Sequence, residues 1–195
     1  TASEIAAKNT FTIEAVVIGN EVENPTALGG YGAKKVTYFK NATLENYSTS
    51  AYTDITVNYA KEIDADILIF ANTSLGKDLA PHVAVKLDAG IATDVVAIDF
   101  KDNDLILTRP VYAGKALIDL KVTSAKKVLT LRPNIFNAGT PSDQIAELNV
   151  VSVDNPNLAS KVIEVKKSEG KLDVAEADII VSGGRGMKGP EHFKL

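Results

Sequence analysis

A glycine-rich segment near the end of the chain has the residue types that bind phosphate groups. Residues 184–189 (GRGMKG) fit the pattern G-x-G-x-x-G. Glycines allow the backbone to approach a phosphate closely, and unpaired N–H groups at the start of a helix point toward an anion. The Arg185 guanidinium adds a charge-assisted donor. The segment therefore predicts a phosphate-contacting turn, although a glycine-rich turn that binds nothing explains the glycines alone equally well.

Two predicted elements flank this segment. Residues 177–181 (ADIIV) form an apolar run, which predicts a buried strand that ends just before the glycines. Pro190 and Glu191 follow the turn, and both suit the first turn of a helix, where a missing N–H costs nothing and a negative charge is favoured. A strand, a glycine-rich turn and a helix start form the context in which this pattern binds a nucleotide.

No other residues form a comparable pattern. Gly76 and Lys77 resemble the end of a phosphate loop, but the required earlier glycine is absent and Asp78 follows the lysine, so a capped helix start is the better interpretation. His82 and His192 are far apart and have no accompanying cysteine or carboxylate cluster. We therefore predict no metal site and no general acid, general base or nucleophile.

Two arginines allow two interpretations. Arg109 and Arg132 are each followed by proline in or beside a strand-like run. Internal salt bridges would explain them, and so would contacts with a partner subunit.

The composition restricts the class of protein. The chain has 195 residues, of which 45% are hydrophobic and 24% charged, as expected of a globular protein with a buried core. A net charge of −4 argues against a nucleic-acid-binding surface. Without cysteine there is no disulfide and no zinc–thiolate site. No apolar run approaches the roughly 20 residues that a membrane helix needs.

The hydrophobic periodicity predicts an α/β fold, with a parallel sheet flanked by helices and additional antiparallel strands. The predicted helices are residues 1–8, 51–63 and 74–87, with Ser74 as the cap of the last, and a short helix within 21–32; the strands between them are residues 11–18, 35–39 and 67–71. From residue 94 onward, strands follow one another with short turns that leave no room for helices. These strands are residues 94–100, 104–112, 116–122 and 126–131, and residues 148–153 and 161–167 continue in the same style.

A change in composition at residues 168–175 predicts a domain boundary. We expect a front α/β domain at residues 1–170, and a linker with the first strand and turn of a second domain at residues 171–195. Because the first residues have the composition of a helix interior, we also expect the chain to be part of a longer protein.

Several blocks of the sequence resemble electron-transfer flavoprotein alpha subunits. In chain order they are residues 74–81 (SLGKDLAP), 87–90 (LDAG), 109–115 (RPVYAGK), 130–133 (TLRP) and 177–188 (ADIIVSGGRGMK). Together they extend over most of the chain in the order that the family has. One departure is His82, which stands where the family usually has arginine.

The resemblance implies an electron carrier and not an enzyme. The implied protein pairs with a beta subunit and carries electrons from dehydrogenases, such as the acyl-CoA type, to a membrane quinone reductase. The implied front domain has a fold similar to adenine nucleotide alpha hydrolases. The implied location is the bacterial cytoplasm, or the mitochondrial matrix in a eukaryote.

The resemblance also implies a cofactor site. Arg185 resembles the family's arginine near the phosphate and ribityl portion of FAD, with Ser182, Gly184 and Gly186 beside it. The family segments that hold the flavin ring do not occur in residues 1–195, so this chain alone is not expected to hold FAD. The alternative is a free-standing adenine-nucleotide-binding α/β domain, which ATP turnover by the isolated chain would favour.

Overall fold

The structure, a computed structural model, describes residues 1–9, 11–101, 104–165 and 179–192. The chain divides into two compact units, Thr1–Val162 and Ile163–Leu195. The predicted boundary between residues 170 and 171 lies outside the described residues. The first unit contains helices α1 (Ala2–Asn9), α2 (Thr49–Glu62) and α3 (Ser74–Leu87), and strands β1 (Glu14–Gly19), β2 (Lys35–Lys40), β3 (Ile67–Ala71), β4 (Gly90–Val95), β5 (Ala97–Lys101), β6 (Asp104–Val111), β7 (Ala116–Lys121), β8 (Lys127–Leu131) and β9 (Glu147–Ser152).

The parallel part of the first unit consists of two three-stranded sheets. Their strand orders are β1-β2-β9 and β3-β8-β4, and every pairing is parallel. In the first sheet Val36 lies opposite both Ala15 and Leu148. In the second, Val128 lies opposite both Leu68 and Ile91. The middle strands β2 and β8 are therefore covered on both edges, and their central residues are buried.

The antiparallel part is a meander with the order β5-β6-β7. The turn between β6 and β7 has positive φ at Tyr112, Ala113 and Gly114, which confirms the hairpin predicted there. The sequence predicts one strand over residues 94–100, and this prediction is wrong. Residues on either side of Val96 belong to different sheets, because β4 pairs with β8 and β5 pairs with β6. The predicted α/β class, parallel with antiparallel additions, is confirmed.

Three apolar clusters form the core of the first unit, and one of them packs α2 against the β1-β2-β9 sheet through Ala51 and Ile55. The other two join the remaining elements. One packs α2 and α3 against β3 and β8, with Val83 and Val128 fully buried. The other packs the second parallel sheet against the meander through Leu107 and Leu129, which are also fully buried. Burial of a side chain of this size contributes about 1.5–3 kcal/mol, so these contacts fix how the sheets stack.

The helices begin at capping side chains. Ser48 caps α2, and Thr73 caps α3 by accepting from the Gly76 N–H at 3.3 Å. Ser74 is therefore the first residue of α3 and not its cap, a one-residue correction. With 14 residues each, α2 and α3 are too short to cross a bilayer, and no described helix is suited to do so.

Three other predicted elements differ from the structure. Within residues 21–32 the chain forms a 3-10 helix, Pro25–Tyr31, instead of an α-helix. Residues 161–165 form no strand, and residues 166–167 lie outside the described part. Residues 179–181 are exposed and form no strand either, while residues 177–178 are not described. A strand needs a neighbour for its backbone hydrogen bonds, and no described strand pairs with either segment.

Candidate functional site

The glycine-rich turn lies in the second unit and folds into two short 3-10 helices. The first, Arg185–Met187, is closed by a hydrogen bond from the Met187 N–H to the Gly184 carbonyl at 2.9 Å. The second is Pro190–His192, where the His192 N–H donates to the Gly189 carbonyl at 3.1 Å. The helical turn predicted at Pro190 is therefore present, in 3-10 form.

The predicted site residues lie together on an exposed surface. Ser182, Gly184, Arg185 and Gly186 are all exposed, and they follow one another at the start of the first 3-10 helix. Among the described residues, the Arg185 guanidinium has neither an ion pair nor a hydrogen-bond acceptor. An exposed guanidinium is the kind of group that binds an anionic ligand.

The glycines at 184 and 186 are not explained by packing. A β-carbon at either position would meet nothing within 4 Å, and neither residue has a left-handed φ. Gly189 differs, because a β-carbon there would crowd the Glu191 carboxylate. Both positions are therefore open to the approach of another group, as a binding turn would require. The assignment of this turn as a binding site stays a prediction.

The first unit holds a second group of polar side chains at the carboxyl end of the β3-β8-β4 sheet. We call it the carboxyl-edge cluster; it consists of Asn72, Asp94, Thr130 and Arg132. Asn72 Nδ2 donates to Asp94 Oδ1 at 2.9 Å, and Thr130 Oγ1 donates to Asn72 Oδ1 at 2.9 Å. Arg132 forms a bidentate pair with Asp94: Nε donates to Oδ1 at 2.9 Å, and Nη2 donates to Oδ2 at 2.6 Å.

A β-bulge explains why Asp94 lies at the centre of the cluster. The register between β4 and β8 shifts between Ala92 and Val95, and Asp94 has a left-handed φ of 61°. Aspartate tolerates this conformation better than most residues. The Asp94 N–H, displaced from the regular ladder, donates to Thr130 Oγ1 at 2.9 Å. The cluster therefore satisfies the polar groups that the bulge would otherwise leave unpaired.

Positive charge surrounds the Asp94 carboxylate. The hydrogen bond from Arg132 is the main cause that lowers the pKa of Asp94, and the charges of Arg132, Lys77 and Arg109 add to it. Arg132 thus forms an internal salt bridge with Asp94, which is one of the two roles that the sequence allowed for it. Arg109 differs, because its Nε is buried and has no hydrogen-bond partner among the residues that the structure describes.

The pair between Asp94 and Arg132 predicts a pH-dependent contribution to stability. Because the folded pKa of Asp94 is lowered, the contribution is present above the unfolded value of about 3.9 and is lost as pH falls through the folded pKa. Asp94→Asn should lower the free energy of unfolding by about 1 kcal/mol at pH 7, since the pair is partly exposed. The difference from wild type, measured by urea unfolding, should shrink below about pH 4.

Asp88→Asn is the matched control for this measurement. Asp88 also has a left-handed φ, of 50°, at the end of α3, but it is exposed and has no salt bridge with a described cation. It should therefore show no comparable loss. If the Asp94→Asn difference stayed constant from pH 7 to pH 3, the charge on Asp94 would not be the stabilising feature.

The remaining sequence candidates have structural roles. Gly76 lies in the first turn of α3 against the end of β3, as expected of a capped helix start. His82 Nδ1 lies 2.8 Å from the Asp78 carbonyl one turn earlier in the same helix. The sequence reasoning missed Asn72, Asp94 and Thr130 as a group, although all three lie at or near the ends of apolar runs, where parallel strands bring their carboxyl ends to one edge.

The fold identifies the class of protein as an α/β protein with parallel sheets and an antiparallel meander. Residues 1–157 match the model of the electron transfer flavoprotein domain. The chain therefore belongs to the electron transfer flavoprotein family, as an alpha-subunit N-terminal domain.

Individual relatives agree with this assignment. The chain is 33% identical over 197 residues to Protein FixB of Clostridium saccharobutylicum, with 98% of the chain and 59% of the relative covered. It is 32% identical over 202 residues to the electron transfer flavoprotein subunit alpha of Thermoanaerobacterium thermosaccharolyticum, with 100% and 61% covered. The subunit alpha of Bacillus subtilis is 33% identical over 184 residues, with 92% and 56% covered. The chain thus spans about three fifths of the length of these relatives.

Proposed function

We propose that this chain forms the front part of an electron-transferring alpha subunit that binds FAD together with a beta subunit. The subunit would take electrons from dehydrogenases, such as the acyl-CoA type, and pass them to a membrane quinone reductase. FAD supplies the redox chemistry when it is bound. The protein would position the cofactor, and no residue of this chain would act as acid, base or nucleophile.

The observation that carries this proposal is the surface of the glycine-rich turn. Arg185 presents a guanidinium without an internal acceptor among the described residues, and Gly184 and Gly186 leave space on either side of it. A phosphate oxygen of FAD fits this donor, because guanidinium groups bind phosphate through paired N–H groups. In this proposal Arg185 holds the phosphate portion, and Ser182 adds a hydroxyl donor.

The first unit would serve as the scaffold and as part of the surface for the beta subunit. The β6-β7 hairpin supports this role, because Tyr112 and Leu117 are 81% and 64% exposed near its end. Exposed aromatic and apolar side chains are common at protein–protein interfaces. Tyr112 is held there by a left-handed backbone, a conformation that a bulky residue adopts only when the surrounding structure imposes it.

Substitution of Arg185 tests the cofactor assignment. In the flavin-loaded alpha–beta complex, Arg185→Ala should weaken FAD retention by about 1–3 kcal/mol, the effect of losing a charged hydrogen bond. That loss corresponds to roughly a 5- to 150-fold rise in the FAD dissociation constant, measurable by flavin fluorescence during dialysis.

Lys188→Ala is the matched control for Arg185→Ala. Lys188 is exposed in the same turn and carries the same charge, so its loss should leave FAD retention nearly unchanged. Equal effects of both substitutions would indicate general charge attraction, and unchanged retention in Arg185→Ala would remove this arginine from the site. ATP binding or hydrolysis by residues 1–195 alone would favour the adenine-nucleotide alternative instead.

A further inference from the structure

Arg109, in β6, is a charged residue that has no partner among the residues that the structure describes. Its side chain is partly exposed, and of its guanidinium nitrogens only Nε is both buried and unpaired. A buried donor without an acceptor costs free energy, and the cost is greater for a charged group. Native proteins leave few such groups, so this one calls for an explanation.

The position of Arg109 in β6 shows which way its side chain points. Successive side chains of a strand lie on opposite faces, so Arg109 shares a face with Leu105 and Leu107. These two leucines pack against the second parallel sheet. Asp94, at the carboxyl edge of that sheet, is close enough for the Arg109 charge to contribute to its lowered pKa. The Arg109 side chain therefore lies near the carboxyl-edge cluster.

The nearby carboxylates already have partners. Asp94 accepts both hydrogen bonds of its bidentate pair with Arg132. Asp119 lies in β7 opposite Thr108, whose hydroxyl donates to it at 2.6 Å. Because Thr108 precedes Arg109 in the strand, this pair is on the other face of the meander. Neither carboxylate therefore balances the charge of Arg109.

This edge of the sheet carries an excess of positive charge. Arg132, Lys77 and Arg109 all act on Asp94, which is the single carboxylate of the carboxyl-edge cluster. Lys77 is exposed in the first turn of α3. The chain as a whole has the opposite sign, with a net charge of −4. A local positive excess favours an acidic binding partner, because complementary charges guide association and fix its orientation.

Exposed apolar side chains lie beside Arg109 on the meander. Ile118 is directly opposite Arg109 in the register between β6 and β7, and it is 43% exposed. Tyr112 and Leu117 are exposed nearer to the turn. Arginine and tyrosine together with exposed aliphatic side chains are typical of the centre of a protein–protein interface. A protein surface would cover these apolar side chains, whereas a free phosphate ion would leave them in water.

We propose that the Arg109 guanidinium binds a carboxylate side chain of the beta subunit, with Ile118 and Tyr112 packed around the pair. The terminal N–H groups of a guanidinium match the two oxygens of a carboxylate. The buried Nε restricts rotation of the group and so holds these donors in place before the partner arrives. This inference rests on the proposed function for the identity of the partner, and it is separate from the FAD contact of Arg185.

Substitution of Arg109 in the flavin-loaded alpha–beta complex tests the proposal. Arg109→Met keeps an unbranched side chain without the charge, and it should raise the dissociation constant of the two subunits by about 30-fold or more. Arg109→Lys keeps the charge without the paired donors, so it should restore only part of the affinity. Analytical ultracentrifugation over a dilution series measures these constants. FAD retained per complex should not change.

Lys34→Met is the matched control for the loss of charge. Lys34 is exposed and directly precedes β2, at the amino end of the other parallel sheet. Its loss should change the dissociation constant by less than about twofold. Equal weakening by Lys34→Met would show that general charge attraction holds the subunits together, and the proposal would then be wrong.

Urea unfolding of the 195-residue chain separates this role from a structural one. Arg109→Met should leave the urea midpoint unchanged or raise it, because a buried charged group without a partner does not stabilise a fold. A lower midpoint would make Arg109 a structural residue and overturn the proposal.

The binding data have further outcomes that decide the matter. Unchanged subunit affinity in Arg109→Met would overturn this inference and leave the FAD assignment of Arg185 intact. If inorganic phosphate shifted the Arg109 Nε–H resonance of the isolated chain while subunit affinity stayed the same, a free anion would be the ligand instead. Failure of the unsubstituted chain to form a complex with the beta subunit would overturn the inference together with the proposed partner.

Discussion

Replacing Gly76 with alanine should lower the free energy of unfolding by about 3 kcal/mol or more. Gly76 is buried in the first turn of α3, directly against the end of β3. A β-carbon at this position would overlap the carbonyl oxygen of Ala71. Because the obstacle is backbone and not the end of a flexible side chain, either α3 or β3 must move, which disrupts packing on both.

The helix propensity of alanine would, by itself, change stability in the opposite direction. In an exposed helix, alanine is about 1 kcal/mol more favourable than glycine, so a neutral site would be stabilised by the change. Urea unfolding checks the result. Gly184→Ala is the control, because a β-carbon there meets nothing within 4 Å and φ is −78°; it should change stability by less than about 0.5 kcal/mol. A Gly76→Ala variant as stable as wild type would show that α3 does not sit tightly on β3.

Thr130→Val should cost about 2–3 kcal/mol of unfolding free energy, although the two side chains have nearly the same shape. The Thr130 hydroxyl is fully buried, accepts from the Asp94 N–H and donates to Asn72 Oδ1. Its removal leaves the partly buried Asp94 N–H and the buried Asn72 Oδ1 without a partner, and each carries a desolvation penalty. The loss should appear as a lower urea midpoint with an unchanged slope.

Thr93→Val is the matched control for this substitution. Thr93 lies in β4 beside the bulge and is only partly buried, so its replacement should change stability by less than about 0.5 kcal/mol. If Thr130→Val behaved in the same way, the carboxyl-edge cluster would not depend on this hydroxyl. Threonine and valine are both β-branched, so neither substitution changes the intrinsic preference of the residue for a β-strand.

The carboxyl-edge cluster and the glycine-rich turn contribute in different ways. The hydrogen bonds of the cluster run among its own four residues, so its main effect is to fix the ends of β3, β4 and β8. The turn leaves the Arg185 guanidinium exposed. A group that binds a ligand must keep donors free for it, and by that criterion the turn is the better candidate for cofactor binding.

Local sequence signals predicted most of the individual elements. The spacing of Tyr52, Ile55 and Tyr59 marks α2, and the apolar run at Ile67–Ala71 marks β3. The hairpin between β6 and β7 follows from its turn residues. These signals depend on backbone preferences and on side-chain periodicity, both of which are properties of short segments.

Other features required distant residues to meet. The run Lys127–Leu131 directly follows the meander in sequence, but it is the central strand of a parallel sheet, between β3 and β4. The five residues of this run do not by themselves distinguish a strand of the antiparallel meander from the central strand of a parallel sheet. Likewise, Val96 separates two sheets, because the partners of β4 and β5 are β8 and β6.

The amino-acid sequence alone determined the α/β class, the family resemblance and the glycine-rich turn, since each resides in a contiguous run of residues. Only the tertiary structure decided the strand order and the carboxyl-edge cluster. The physical reason is that pairing and burial depend on residues far apart in the chain: Asn72, Asp94 and Thr130 become neighbours only when β3, β8 and β4 lie side by side.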